Sequence, residues 1–263
     1  MEIPKYSSDR IKYFLKGTDN TKYFNKNRSD STLGKIINKL YPNTYKASGD
    51  PGKDIESLVN EYKALRSFEP TFELVKGSDI NYWYNQSRYG YPKQGSLYGS
   101  CMRYGSCENY LNFYAKNKDK VSLLILKDPN DDTLIVGRAI VWKLDKIDEE
   151  EITEENGPRY FMDRIYHTSE HHLVIFKGYA EQNGWLYKFK QNMDEDEDII
   201  DSKTGEIKNS MVVRDLSDPG VGNYPFMDTM KFFDYSEGVI SNNTKEISGD
   251  YYTLNDTEGG CKS

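Results

Sequence analysis

The sequence is poor in cysteine and histidine and has no long apolar run. Its three cysteines are too few for a disulfide framework, and no CxxC pair accompanies them, so the sequence predicts no metal site. No apolar stretch approaches the roughly 20 residues that a membrane-spanning helix needs. The opening residues Met1–Lys5 contain no apolar signal core. These absences predict a protein that has no membrane partner, is not secreted by a signal peptide and works inside a cell.

Outside the first part of the chain, acidic residues outnumber basic ones. The whole chain has 42 Asp and Glu against 35 Lys and Arg, a net charge of -7. Residues 1–46 reverse this balance, with ten Lys and Arg against four Asp and Glu, and aromatic residues lie among the basic ones. Such a segment can bind nucleic-acid phosphates and bases, or it can dock on an acidic surface of its own protein. The acidic runs at 148–151 and 194–198 would repel a polyanion and are interpreted as solvated loops.

The pattern of apolar residues predicts an α+β fold with a mixed, largely antiparallel sheet. An amphipathic helix is expected over 54–68 and an antiparallel hairpin over 121–126 and 134–142, whose first strand is buried on both faces. A strand–helix–strand unit follows at 160–166, 169–183 and 186–189, which suits a parallel crossover. Beyond it the chain has short β-strands. The predicted domains are a basic N-terminal extension at 1–52, a core sheet flanked by helices at 53–190, and an acidic loop with a C-terminal β-rich segment at 191–263.

Two shorter local features complete this prediction. Ser106 is expected to cap a helix over 107–116. The stretch 89–99, which contains Gly and Pro, is expected to be loop.

Four charged residues stand inside otherwise apolar strands: Arg103, Arg138, Asp163 and Arg164. A charge in such a place must face solvent, form a pair or bind a ligand, because burying it alone is costly. One interpretation is an ion pair of Asp163 with Arg138 or Arg103. The other is an arginine-lined cleft for a phosphate or carboxylate, since guanidinium offers two parallel donors. The triplet Phe-Met-Asp at 161–163 recurs at 226–228, but three residues alone do not establish a repeat.

A cysteine nucleophile is a further hypothesis. Cys101 follows a Gly-rich stretch and precedes a helix, the setting in which papain-like enzymes form a reactive thiolate. His167 is a candidate base with Asp163 to orient it, and a packed core thiol is the structural alternative. His171 and His172 would lie at the rim of the arginine-lined cleft, so His171 is a candidate ligand-binding residue. The three histidines all fall within 167–172 but do not predict a metal centre.

Aromatic residues concentrate between positions 82 and 98. They can form a binding surface, because Tyr gives a large contact area at low entropic cost, or they can cover the hairpin sheet as a lid. Tyr84 and Tyr98 are therefore candidate ligand-binding residues. The full set is Tyr82, Trp83, Tyr84, Tyr89, Tyr91 and Tyr98.

The order of hairpin, strand, helix and strand over 121–189 resembles the central part of GNAT-type N-acetyltransferases. That resemblance implies a GNAT-like sheet and raises acetyl-CoA as a cofactor. In that family a Gly-containing loop after the fourth strand binds the cofactor pyrophosphate. The corresponding residues here, 167–171, are His-Thr-Ser-Glu-His, without glycine and with Glu170 where the pyrophosphate would lie. The expectation is therefore a GNAT-like fold with no cofactor, and acetyl-CoA is the alternative.

Five segments together resemble a family of bacteriophage-encoded proteins of no assigned activity. This resemblance implies a phage accessory protein in the host bacterial cytoplasm or the virion. The expected function is non-catalytic binding of a host or virion protein through an aromatic and arginine-lined surface. The alternatives are a divergent CoA-dependent N-acyltransferase and a Cys-dependent hydrolase. The segments are Gly99–Arg103, Val136–Trp142, Phe161–Tyr166, Tyr179–Trp185 and Tyr224–Asp228.

Overall fold

The computed structural model describes residues 10–13, 29–32, 35–36, 70–191, 198–220 and 222–255. The chain divides into two compact units, Met1–Glu69 and Pro70–Ser263. In the first unit β1 (Arg10–Tyr13) pairs antiparallel with β2 (Ser29–Thr32). The predicted helix at 54–68 and most of the basic segment 1–46 lie outside the described residues.

The second unit holds the other strands and helices whose bounds the structure describes. The strands are β3 (Phe72–Val75), β4 (Val121–Asp128), β5 (Asp131–Leu144), β6 (Lys146–Ile147), β7 (Glu150–Glu151), β8 (Arg159–His167), β9 (Leu186–Lys188), β10 (Ile199–Asp201), β11 (Ile207–Lys208), β12 (Met211–Val213), β13 (Phe232–Asp234), β14 (Val239–Ser241) and β15 (Tyr252–Thr253). The α-helices are α1 (Asp79–Tyr84), α2 (Gly95–Gly99), α3 (Glu108–Lys116) and α4 (His171–Asn183). Among the described helices, none has both the length and the apolar character to cross a membrane.

The larger sheet has the strand order β11-β10-β9-β8-β5-β4-β3 within the described residues. The predicted hairpin is confirmed, since β4 and β5 pair antiparallel. The predicted crossover is also confirmed, because α4 connects β8 to β9 and these two strands are parallel. Two of the strands in this sheet, β10 and β11, lie beyond residue 190.

A second sheet of six strands has the order β15-β13-β14-β12-β6-β7 in the described part of the chain, and its pairs are antiparallel. The predicted β-rich character after residue 190 is therefore confirmed. The prediction that the acidic run at 148–151 is a loop is partly wrong, because Glu150–Glu151 form β7. Both residues are exposed, so a short solvent-facing strand accommodates the charge.

Strand β4 is at the centre of the core. Its residues 121–126 are all buried, which confirms the prediction of a strand covered on both faces. On one face Phe176 of α4 packs so closely on Gly137 that an added Cβ would lie 2.7 Å from its ring. On the other face the ring of Trp142 contacts the ring of Tyr114 from α3. The α+β class with a largely antiparallel sheet is thus the observed architecture.

Two local predictions need correction. The stretch 89–99 is not all loop, because its last five residues form α2. Helix α3 begins at Glu108, and the residue before it, Cys107, gives no side-chain capping bond. Ser106 lies instead in a 3-10 turn at Gly105–Cys107. In both places tertiary packing decides the local structure, since Leu97 and Cys107 are fully buried.

We expect Gly95→Ala to destabilise the protein. Gly95 has φ +74°, and an added Cβ would lie 2.3 Å from the carbonyl oxygen of His167. A left-handed conformation costs a residue with a side chain about 1–2 kcal/mol, and the collision adds to that cost. Chemical denaturation should show a loss of about 2 kcal/mol or more.

Two glycines serve as controls for this measurement. Gly77→Ala has φ +60° but open space around the Cβ, so it should show only the conformational cost. Gly99→Ala has neither constraint and should change stability by less than about 0.5 kcal/mol. Equal losses for Gly95→Ala and Gly77→Ala would contradict the close approach to His167.

Candidate functional site

A β-bulge in β8 places two consecutive charged residues on one face of the larger sheet. The pairs Ala139 with Ile165 and Val141 with Met162 leave a single residue of β5 opposite two residues of β8, Asp163 and Arg164. A bulge of this kind reorients side chains that would otherwise alternate. Asp163 and Arg164 consequently both face the side on which Arg138 of β5 lies.

Arg138 is buried on this face, only 1% exposed, and is surrounded by tyrosine rings. Its guanidinium carbon lies 3.6 Å from the ring centre of Tyr84 and 4.7 Å from that of Tyr166. Its Nε donates to the hydroxyl of Tyr89 at 3.2 Å, and its Nη2 donates to Oγ of Ser100 at 2.9 Å. Burial by itself would lower the pKa of Arg138, but the neighbouring phenols raise it, so the guanidinium stays charged. No carboxylate forms an ion pair with Arg138 among the described residues.

Arg164 differs, because it has a carboxylate partner. Its Nη1 donates to Oδ1 of Asp228 at 2.8 Å, and the hydroxyl of Tyr166 donates to the other oxygen of Asp228 at 2.6 Å. The side chain of Arg164 is 21% exposed and that of Asp228 is 7% exposed. Asp228 lies between β12 and β13, so this ion pair joins the second sheet's connecting segment to β8 of the larger sheet.

Asp163 is a buried carboxylate beside this pair. Its Oδ1 accepts from the backbone N–H of Arg164 at 2.7 Å, and its Oδ2 accepts from Nε1 of Trp142 at 3.3 Å. Burial raises the pKa of Asp163 from 3.8 to about 6, and the charge of Asp228 adds to the rise. The buried Lys188 acts in the opposite direction.

These groups surround a cavity where the segment at 226–228 meets the larger sheet. The space open to the centre of a water molecule is about 20 Å³, enough for one water or one small head group. Arg164, Tyr166 and Phe226 are only half-buried, so the cavity opens on their side. The lining residues include Tyr84, Ser100, Tyr114, Arg138, Asp163, Arg164, Tyr166, Phe226 and Asp228.

The structure brings together part of the predicted site. Arg138, Arg164, Tyr84 and Asp163 all line this cavity. The predicted ion pair of Asp163 with Arg138 or Arg103 is wrong, because Asp163 accepts from Arg164 N–H and Trp142 instead. The aromatic stretch at 82–98 is a lid in part, since Trp83, Tyr84 and Tyr89 are buried while Tyr82 and Tyr91 are exposed.

Three predicted binding residues lie outside the cavity lining. Arg103 packs on the ring of Tyr104 at 4.2 Å and donates to the carbonyl of Ser100. The hydroxyl of Tyr98 donates to the carbonyl of Tyr89 at 3.1 Å. His171 is hydrogen-bonded to Ser169 at 2.8 Å, at the start of α4.

The predicted nucleophile and base are not joined. No hydrogen bond or ion pair links Cys101 to His167, or His167 to Asp163, in the ranges that the structure covers. Burial raises the pKa of the Cys101 thiol, and the charge of Asp228 raises it further, which is the reverse of an activated thiolate. Burial lowers the pKa of His167. The geometry therefore gives no support to the hydrolase hypothesis.

The loop that follows β8 is closed by contacts within the chain. The N–H of His167 donates to Oγ of Ser96 at 3.0 Å, and the N–H of Thr168 donates to the carbonyl of Val136 at 3.0 Å. Gly95 lies directly against the same backbone, as its contact with the His167 carbonyl shows. Helix α2 thus covers this loop, and these two N–H groups are already used.

Sequence reasoning missed several cavity residues. Ser100, Tyr114, Tyr166 and Asp228 were not selected, although all four line the cavity. One available signal was the repeated triplet Phe-Met-Asp, because its two aspartates, Asp163 and Asp228, lie at the same cavity. Tyr114 and Ser100 carry no comparable signal in the sequence.

Comparison with known proteins does not assign this chain to a family. No protein-family model, curated protein or solved structure matches this chain. Within the described ranges no group of His, Cys, Asp and Glu is arranged to hold a metal ion.

Asp163→Asn should change the pH dependence of stability. The pKa of Asp163 is raised from 3.8 to about 6, so the folded state binds more protons than the unfolded state between these values. The contribution of Asp163 is therefore most favourable below pH 4 and is lost as pH rises towards 6. Relative to wild type, the unfolding free energy of Asp163→Asn should rise by about 2–3 kcal/mol as the pH increases through this window.

The quantity to measure is the difference in unfolding free energy between the two proteins, by urea denaturation from pH 4 to 7. The difference is needed because burial lowers the pKa of His172 to about 4, which gives a slope of opposite sign in both proteins. A difference that stays constant with pH would mean that Asp163 titrates as an exposed carboxyl does.

Proposed function

We propose that this chain is a bacteriophage accessory protein that acts by binding, without catalysis, through the cavity at Arg138. Its partner is a host or virion protein, and its place of action is the host bacterial cytoplasm or the virion. The phage origin rests on the resemblance of the five sequence segments to a family of phage-encoded proteins.

One observation carries the proposal. The binding candidates Arg138, Arg164 and Tyr84 converge on one cavity, whereas the catalytic candidates Cys101 and His167 are not linked to each other. Catalysis by a nucleophile and base requires hydrogen-bond reach between them. Arginine and tyrosine are among the residue types that contribute most of the energy at binding interfaces.

A second candidate is the CoA-dependent N-acyltransferase. The observation that favours it is the β8–α4–β9 crossover, in which the parallel strands pair only at Phe161 with Leu186 and at Met162 with Tyr187. A strand, a helix and a second strand that pairs with the first over a short parallel stretch resemble the central part of the GNAT-type sheet.

Two features weigh against a GNAT-type cofactor site. The loop at 167–168 lies under α2, and its N–H groups bind Ser96 and Val136 rather than facing a phosphate. The gap between β8 and β9 is bridged by Gln191, whose Oε1 accepts from Ile165 N–H and whose Nε2 donates to the carbonyl of Lys188, both at 2.7 Å. We therefore rank binding above acyl transfer.

Photo-crosslinking tests the binding proposal. We expect p-benzoylphenylalanine at position 226, at the mouth of the cavity, to give a discrete crosslinked product in a bacterial extract. The control is the same residue at position 174, where Val174 is 73% exposed on α4 and does not line the cavity. Identical products from both positions, or none from position 226, would count against the proposal.

Thermal unfolding with acetyl-CoA separates the two candidates. A ligand present at 100 times its dissociation constant adds about 2.7 kcal/mol of stability. We expect no rise in Tm with acetyl-CoA, because the loop N–H groups are occupied. A clear rise would favour the acyltransferase and would require α2 to move away from the loop.

A further inference from the structure

The cavity contains three hydrogen-bond donors that the chain itself leaves without acceptors. The hydroxyl groups of Tyr84 and Tyr114 and the Nη1 atom of Arg138 make no hydrogen bond to any described residue. The three side chains are only 4%, 3% and 1% exposed. Side chains buried to this degree normally have their polar groups paired, so three unpaired donors that line one cavity are available to an acceptor bound there.

Arg138 is the feature that favours an anion as the acceptor, although Asp163 and Asp228 also line the cavity. Arg164 is paired with Asp228, and Lys188 is close enough to Asp163 to lower its pKa. Arg138 is left with aromatic rings, a phenol and a serine hydroxyl, none of which carries a negative charge. A buried cation without a counter-charge is costly, and a bound anion would remove that cost.

The tyrosines remain donors over the physiological range. Burial raises the pKa of Tyr84 to about 12 and raises that of Tyr114 well above 10. Neither phenol therefore competes with Arg138 as an anion, and both can donate to one.

The small size of the cavity favours an anion with a small head group. About 20 Å³ accommodates a head group of a few atoms, and the open side at Arg164 and Phe226 leaves room for the remainder of a larger molecule. A carboxylate is planar, has two acceptor oxygens and fits a guanidinium flanked by hydroxyl donors. Phosphate and sulfate have four oxygens around a larger centre, so three donors would leave part of such an anion unpaired.

We propose that this cavity is a carboxylate-binding site, in which Arg138 Nη1 and the hydroxyls of Tyr84 and Tyr114 bind one carboxylate. This site specifies the chemistry of the proposed binding function, and its biological role rests on that function. The carboxylate comes either from a small free acid or from the chain terminus or an acidic side chain of a protein partner.

The test is titration of the full chain with sodium acetate against sodium chloride at equal ionic strength, followed by NMR or calorimetry. Acetate should bind with saturation, and chloride and phosphate should bind more weakly. Tyr84→Phe and Tyr114→Phe each remove one donor to a charged group and should weaken acetate binding about tenfold or more. These variants keep the ring packing, so they stay informative even if an Arg138→Gln variant does not fold.

The matched control is Tyr179→Phe. Tyr179 is a half-buried tyrosine of α4 that packs on Phe72 and does not line the cavity, so acetate affinity should not change. Acetate binding no tighter than chloride, or unchanged in both Tyr84→Phe and Tyr114→Phe, would overturn the carboxylate site.

A second arm identifies the source of the carboxylate. N-acetylglycine reproduces a peptide chain terminus, and N-acetylglycinamide is the same molecule without the charge. If N-acetylglycine, but not the amide, suppresses the crosslink from position 226, the carboxylate belongs to the protein partner. If acetate binds but position 226 gives no crosslink, the carboxylate site stands with a free acid as its ligand, and the proposed protein-binding function fails.

Discussion

Burial of the Arg138 guanidinium is the constraint on which this part of the structure depends. A charged group 1% exposed in a sheet face must have polar partners and polarisable neighbours. The chain provides them from residues 84 to 100, through the rings of Tyr84 and Tyr89 and the hydroxyl of Ser100. Tyr89 in turn donates to the carbonyl of Tyr84 at 2.6 Å, which holds α1 and the following turn over β5. The residues that cover the sheet here are therefore the same residues that surround Arg138.

The same region joins the two sheets of the second unit. Asp228 accepts from both Arg164 and Tyr166, so the segment between β12 and β13 is fixed to β8. Elsewhere Asp145 links the sheets, since it accepts from Lys120 Nζ at 2.7 Å and from Arg214 N–H at 2.8 Å. A ligand that contacts Arg138 would lie at the boundary between the sheets.

Apolar periodicity was sufficient to predict the β4–β5 hairpin, the β8–α4–β9 crossover and the β-rich end of the chain. It could not predict α2, because a five-residue helix has no period and depends on burial of Leu97. Arg138 and Arg164 were found because a charge within an apolar strand needs an explanation. Ser100 and Tyr114 were missed because nothing in the local sequence distinguishes them from other hydroxyl-bearing residues. The bulge could not be predicted either, because it is defined by how β8 pairs with β5 and not by the sequence of β8 alone.

The bulge at Asp163 and Arg164 also bears on how such a site changes in evolution. Loss of one residue there would restore regular pairing between β5 and β8 and leave a strand without a bulge. Every other side chain of β8, Tyr166 included, would keep its partner on β5 and its face, and only one of the two adjacent charges would be lost. A single deletion would thus abolish the arrangement without damaging the sheet, whereas substitutions could only alter it stepwise. The extra residue and the second charge that it brings to this face are therefore lost in one step.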